Sequence, residues 1–252
     1  MPTQTFAMEV KRFVLRGKPH MKLNPAGTLL ASMFCATLVA PVTAQPAPHP
    51  APESWRQLFN GKDLTGWQHV GEGSMAVQNG MIVNTGKTGE GLLWWTGGKF
   101  GNSVIRVVYR MKDKPANSGV FIRIPLKPRE TTMPVHYGYE SNIEPDPARW
   151  QEDDYYATGS LYGFTKVPRR PDSPGTGWNV MEITLDGPRT IVKVNDIVVT
   201  DYKDGDPLRP PRKDDPLPGP RPDSGYIGIQ NVGDEVIYFK EIAVRPLGKQ
   251  AR

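Results

Sequence analysis

The chain reads as an all-β protein, a two-sheet antiparallel sandwich, and three observations lead there. Short apolar stretches alternate with period 2, 26 Gly and 26 Pro punctuate the 252 residues, and no long helical periodicity follows the first 44 residues. The length suits one large all-β domain, and no internal repeat is visible.

The strands fall in order. Ala76 to Val83 holds two short runs about Asn79-Gly80, a dipeptide that favours a tight hairpin. Leu92 to Trp95 and Val104 to Met111 follow; in the latter, Ile105, Val107, Tyr109 and Met111 oppose Arg106, Val108 and Arg110, as in a half-buried antiparallel strand. Trp178 to Leu185, Thr190 to Asn195, Ile197 to Tyr202, Tyr226 to Gln230 and Val236 to Val244 complete the set. Between them, 203–224 carries seven prolines from Pro207 to Pro222 with interspersed charge, so it reads as a long surface loop, either a tolerated insertion or a rim of a cleft.

Residues 1–44 hold five basic side chains against Glu9 alone, leaving 26 basic and 25 acidic residues downstream. Four of the five net positive charges therefore belong to the leader, and the nearly neutral remainder gives no reason to expect nucleic acid as a partner. Lys22 precedes an uncharged run from Leu23 to Ala44, and Val42-Thr43-Ala44 offers small residues before Gln45, which predicts signal cleavage after Ala44 and a periplasmic or secreted protein. The run's Ala, Thr, Ser and Pro content makes it a poor membrane span, so no membrane association is expected after cleavage. Cys35, the only cysteine, leaves with the signal, which removes disulfides and thiol chemistry. Residues 45–54 form a Pro/Ala-rich linker, and folding spans 55–248. The oligomeric state is not legible.

Two stretches carry the candidate chemistry. Asn117-Ser118-Gly119 is a turn signal before Val120-Phe121-Ile122-Arg123-Ile124, whose alternation puts Val120, Ile122 and Ile124 on one face and Phe121 and Arg123 on the other. A second strand from His136 to Glu144 places His136, Glu140, Asn142 and Glu144 on one side. If the strands are neighbours, Arg123 shares a face with the carboxylates. Glycine patterns for phosphate or dinucleotide binding and a nucleophilic Gly-x-Ser-x-Gly elbow are absent from the sequence.

Several ordered motifs carry a resemblance: Leu58-Phe59-Asn60-Gly61-Lys62-Asp63-Leu64-Thr65-Gly66-Trp67, Asn117 to Arg123, Tyr139-Glu140, Gly159-Ser160-Leu161-Tyr162-Gly163, Gly177-Trp178-Asn179, Gly228-Ile229-Gln230 and Tyr238-Phe239-Lys240-Glu241-Ile242. Together they resemble the 3-keto-disaccharide hydrolase domain family over roughly Leu58 to Leu247. The resemblance implies a concanavalin-like jelly roll, exported in bacteria, acting on glycosides oxidised at C3. The chain departs from the family pattern at Ser141-Asn142, at Asn195-Asp196, at Lys240-Glu241 and at Gln230-Asn231-Val232-Gly233, where the family's late histidine is missing.

A C3 ketone acidifies the C2 proton, so such a site needs a base and a group to hold an enolate oxygen. Glu140 or His136 fits the base and Arg123 the oxyanion. Asn117, Asn142, Glu144 and Gln230 are polar candidates for substrate binding, and Phe121, Tyr162 and Trp178 are candidates for sugar stacking or equally for core. Glu140 has a bland alternative, a strand-face acid paired with Arg123. No cofactor is expected; His136, Glu140 and Glu144 are too widely spaced along one strand to share a divalent ion, so one stays open only with ligands arriving from distant loops. Two other readings stand beside the enzyme of oxidised glycosides: a retaining glucanase using Glu140 and Glu144, although Asn142 breaks the expected Glu-x-Asp-x-Glu, and a non-catalytic lectin-like module.

Overall fold

The computed structural model describes residues 54–85, 89–112, 116–146, 148–149, 151, 153–171, 177–213 and 215–248. The leader, with the expected cleavage after Ala44, and all of the linker but its last residue lie outside the described residues. Among those described, no helix is long and apolar enough to cross a membrane.

In chain order the elements are β1 (Arg56–Gln57), β2 (Trp67–Gly71), β3 (Met75–Gln78), β4 (Met81–Asn84), β5 (Glu90–Trp95), β6 (Ser103–Met111), β7 (Ser118–Ile124), helix α1 (Thr132–Tyr137), β8 (Tyr139–Ile143), a 3-10 turn (Asp154–Tyr156), β9 (Asn179–Asp186), β10 (Arg189–Val194), β11 (Ile197–Lys203), β12 (Tyr226–Val232) and β13 (Ile237–Pro246). They form an eight-stranded sheet ordered β11-β10-β9-β6-β13-β4-β3, with β1 on β13, and a five-stranded sheet ordered β2-β5-β12-β7-β8. The two antiparallel sheets bear out the expected all-β sandwich.

The alternation of β6 does what its pattern predicts. Ile105, Val107, Tyr109 and Met111 point inward and pack with Met181 and Ile183 of β9, Phe239 and Ile242 of β13, and Leu93, Val120, Ile122, Tyr139, Ile143 and Ile229 of the five-stranded sheet. Burial of this continuous apolar layer is the main stabilising term. The Asn79-Gly80 turn has both residues at positive φ, as does Asn195-Asp196, which closes the β10–β11 hairpin without a glycine because Asn and Asp tolerate that region.

Two expectations about the central stretch are overturned. First, β7 is not a simple alternating strand. Tyr226 pairs with Ile124 and Gly228 with Phe121, so β7 holds one extra residue between these pairs, and Arg123 sits there at φ +54. The bulge inverts the pattern: Ile124 turns outward beside Phe121, and Arg123 goes to the opposite side. Second, the strand does not begin at His136. Thr132–Tyr137 is a short helix, which packs Met133 and Val135 over a second apolar cluster of Leu92, Trp94, Phe121 and Ile124 on the outer face of the five-stranded sheet. That helix is one wall of the cavity described below.

The described residues of 204–224 run as a loop after β11, and that loop is moored. Asp215 accepts hydrogen bonds from Tyr156 Oη at 2.6 Å, from Arg209 and from the Arg212 amide. Arg221, buried, donates to the carbonyls of Gly138, Gly219 and Leu217. Buried ionic and hydrogen-bonded groups of this kind fix one loop conformation rather than a free insertion.

Candidate active site

A cavity of about 650 Å³ opens on the outer face of the five-stranded sheet. Its floor follows from register. Phe121 pairs with Glu140 and Gly119 with Asn142, and opposite residues of an antiparallel pair share a face. Glu140, Asn142, Gln230 and Val232 therefore rise from the floor; Glu90 stands at the start of β5; α1 contributes Thr132, Val135 and His136; and Asn117, Arg149, Tyr162 and Lys213 complete the lining.

Glu140 is the chemically notable member. It is only 5% exposed, and burial, with the neighbouring charge of Glu90 adding to it, pushes its carboxyl up to about 8. Among the described residues no hydrogen-bond donor reaches that carboxyl. Its backbone is held, since the Tyr162 amide donates to the Glu140 carbonyl at 2.9 Å, and the segment around Ser160 covers the outer edge of β8 through hydrogen bonds with Asn142. Around it lie further polar atoms that are buried and without partners among the described residues: His136 Nδ1, Asn142 Oδ1 and Gln230 Oε1. The orientation of Asn142 is set by its Nδ2, which donates to the Tyr156 carbonyl and so leaves Oδ1 as the open acceptor. Unpaired buried polar atoms also occur elsewhere in the fold, at Tyr109 Oη and Thr190 Oγ1 among others, but these three line one cavity, where a ligand can reach them.

Glu144 is different. At 1% exposure, it accepts from Asn117 Nδ2 at 3.0 Å, from the Asp146 amide at 2.9 Å and from Arg149 Nε at 2.5 Å. Burial raises its pKa despite these donors. Arg149 bridges onward to Glu235 at 2.7 Å, whose carboxylate also receives the Asn117 amide. Glu144 is thus a buttress beneath Arg149 and Asn117, and Glu90 is the carboxylate that shares the cavity with Glu140.

The structure thus brings Asn117, His136, Glu140, Asn142, Tyr162 and Gln230 to one cavity and leaves four other candidates out of its lining, Glu144 as just described and Arg123, Phe121 and Trp178. Arg123 lies on the opposite side of the sheet, where its Nη1 donates to Pro222 O at 3.0 Å and its Nη2 to Gly187 O at 2.6 Å and Arg189 O at 3.2 Å. It ties β7 to the β9–β10 hairpin and has no face in common with Glu140. Phe121 is on the right face but lies beneath α1 in the apolar cluster. Trp178 stands on the outer face of the other sheet, 40% exposed, with the Arg110 guanidinium 5.2 Å and the Lys240 ammonium 4.5 Å from its ring. The cavity's cations, Arg149 and Lys213, come from loops, and with Glu90 they were not singled out from the sequence. Among the described residues no three His, Cys, Asp or Glu side chains gather as a metal-binding group.

Comparison with known proteins agrees with this fold. A crystallised candidate glycosyl hydrolase from Parabacteroides distasonis superposes with a TM-score of 0.63 at 23% identity, over 77% of this chain and all of that one. A second from the same organism gives 0.61 at 20% identity, over 77% of this chain and 94% of that one. A Bacillus subtilis protein of unknown function with a galectin-like fold gives 0.52 at 12% identity, over 76% and 94%. At these identities the likeness carries the jelly-roll fold alone. No curated protein matches the sequence. The sequence matches the family of 3-keto-alpha-glucoside-1,2-lyase-like domains over residues 54–245, most of its length. The chain belongs to that family, a family of glycoside-acting domains.

Proposed function

We propose that this protein cleaves glycosides whose sugar carries a ketone at C3, with Glu140 as the base. The observation that carries the reading is a buried carboxyl on a cavity floor, without a hydrogen-bond donor among the described residues and pushed up to about 8. A carboxylate so desolvated is a stronger base than one in water, and its pKa lies near the range where proton transfer is efficient. Family membership supports the substrate class.

In the first step the Glu140 carboxylate takes the C2 proton, and the C2–H electron pair moves into the C3 carbonyl as an enolate. Lys213 and Arg149, which both line the cavity, supply positive charge for that oxygen, the role the sequence suggested for Arg123. The enolate then returns its electrons to form the C1–C2 double bond and expels the C1 substituent, which takes a proton from His136 or from the newly protonated Glu140. Water adding its oxygen to C1 and its proton to C2 completes net hydrolysis. Asn142 Oδ1 and Gln230 Oε1 offer acceptors to the sugar's remaining hydroxyls. The leader-like residues 1–44 support placing the reaction outside the cytoplasm.

The test is aglycone release from a 3-keto-glucoside, its C2-deuterated form and the unoxidised parent. Release from the keto sugars alone, slowed several-fold by deuterium, is the expected result. Equal release from the parent overturns the mechanism. Binding of both sugars without release favours the lectin-like reading, for which the same unpaired acceptors serve as a recognition surface.

A further inference from the structure

We propose that Gly119 is a positioning residue for Glu140, a notch in the sheet surface that receives its carboxyl; this rests on the reading of Glu140 as the base. Gly119 lies inside β7, where every residue is buried. A glycine in a strand interior packs nothing and carries an entropic penalty, so its presence asks for a reason. The backbone does not supply one, because Gly119 is not among the glycines at positive φ.

Close approach supplies it. An ideal Cβ on Gly119 would stand 2.1 Å from Glu140 Oε1, 2.6 Å from its Cγ and 2.8 Å from its Cδ. All three nearest atoms belong to that one side chain. Gly119 pairs with Asn142, and one step beyond the Ile229–Val120 pair it faces Gln230. The notch therefore lies in a row between two residues with unpaired acceptor oxygens. Since no donor among the described residues orients the Glu140 carboxyl, shape alone holds it there. The flanking residues secure the row: Ser118 Oγ donates to the Gln230 carbonyl at 2.7 Å, and Asn117 holds Glu144.

The test is a stability cycle read together with a pH profile. Gly119→Ala is melted in the wild-type background and in Glu140→Ala, which removes all three crowding atoms. We expect a fall in Tm of about 5 °C in the first background and little or none in the second. On a 3-keto-glucoside, Gly119→Ala should lose at least about tenfold in kcat, and the ionisation near 8 should move down as the displaced carboxyl meets water. An equal fall in Tm in both backgrounds overturns the proposal, as does full activity with an unmoved pH profile. Glu140→Gln separates the two readings: if it retains full turnover while the Tm coupling holds, the base assignment fails and the notch stands.

Discussion

The two faces of the β7–β8 pair bury charge in opposite ways. On one face Arg123 gives its guanidinium to three backbone carbonyls, Tyr139 Oη bonds Asp204 at 2.5 Å and Arg221 donates to three more carbonyls. On the other face, among the described residues, Glu140 has no donor, and His136, Asn142 and Gln230 each keep a buried atom unpaired. Burial costs both faces desolvation, but the first offsets most of it internally, with Nε of Arg123 as its one guanidinium nitrogen without a partner among the described residues. A charged group that the fold satisfies is architecture, and one that the fold leaves wanting is a place for a ligand.

Substitutions can break this comparison. The largest effect is expected for Glu140→Gln, a near-isosteric change that should lower turnover of a 3-keto-glucoside by about 10³-fold while far-UV circular dichroism stays unchanged. Arg123→Ala should do the reverse, lowering unfolding free energy by about 3 kcal/mol because it strands three carbonyls, with kcat of the folded fraction and its pH profile unaltered. A matching loss of kcat would put Arg123 back in the site. Lys213→Ala should cost about 10²-fold in kcat with a small change in KM, as expected for a cation that meets charge mainly in the transition state.

The pH dependence of stability sharpens the same contrast. The Glu140 pKa is raised in the folded state from its ordinary 4.5 to about 8, so between those values the folded protein holds a proton that the unfolded chain has released. Stability therefore falls as pH rises through this window, by up to a few kcal/mol, and levels off above it. Glu140→Gln should remove that slope and leave the variant more stable than wild type at pH 9, which denaturant titration at several pH values will read. The smallest effect is expected at the remote face: Trp178→Ala should cost about 1 kcal/mol of stability through its cation contacts and leave kcat/KM unchanged.

Much of this was legible in the sequence, and the failures have physical causes. Strand positions and inward faces follow from period 2, as β6 shows, and the Asn-Gly turn announced β3–β4. Arg123 was misplaced because a single extra residue inverts every later side chain, and nothing local distinguishes a bulge from a plain strand. His136 was read into β8 because a six-residue helix is too short to impose its own periodicity against a neighbouring strand. It still reaches the cavity, by a different route. Glu90, Arg149 and Lys213 escaped because they come from a strand start and two loops, and only the tertiary fold brings such residues together. Register does explain Glu140 and Asn142, whose alternation survived intact.

The most direct test of the account is the pH dependence of kcat/KM for a 3-keto-glucoside between pH 5 and 10, on wild type and Glu140→Gln. The account predicts a wild-type rate that rises through an ionisation near 8 and a variant whose residual rate lacks it. A wild-type profile flat across that range, or the same ionisation persisting in Glu140→Gln, would contradict Glu140 as the base.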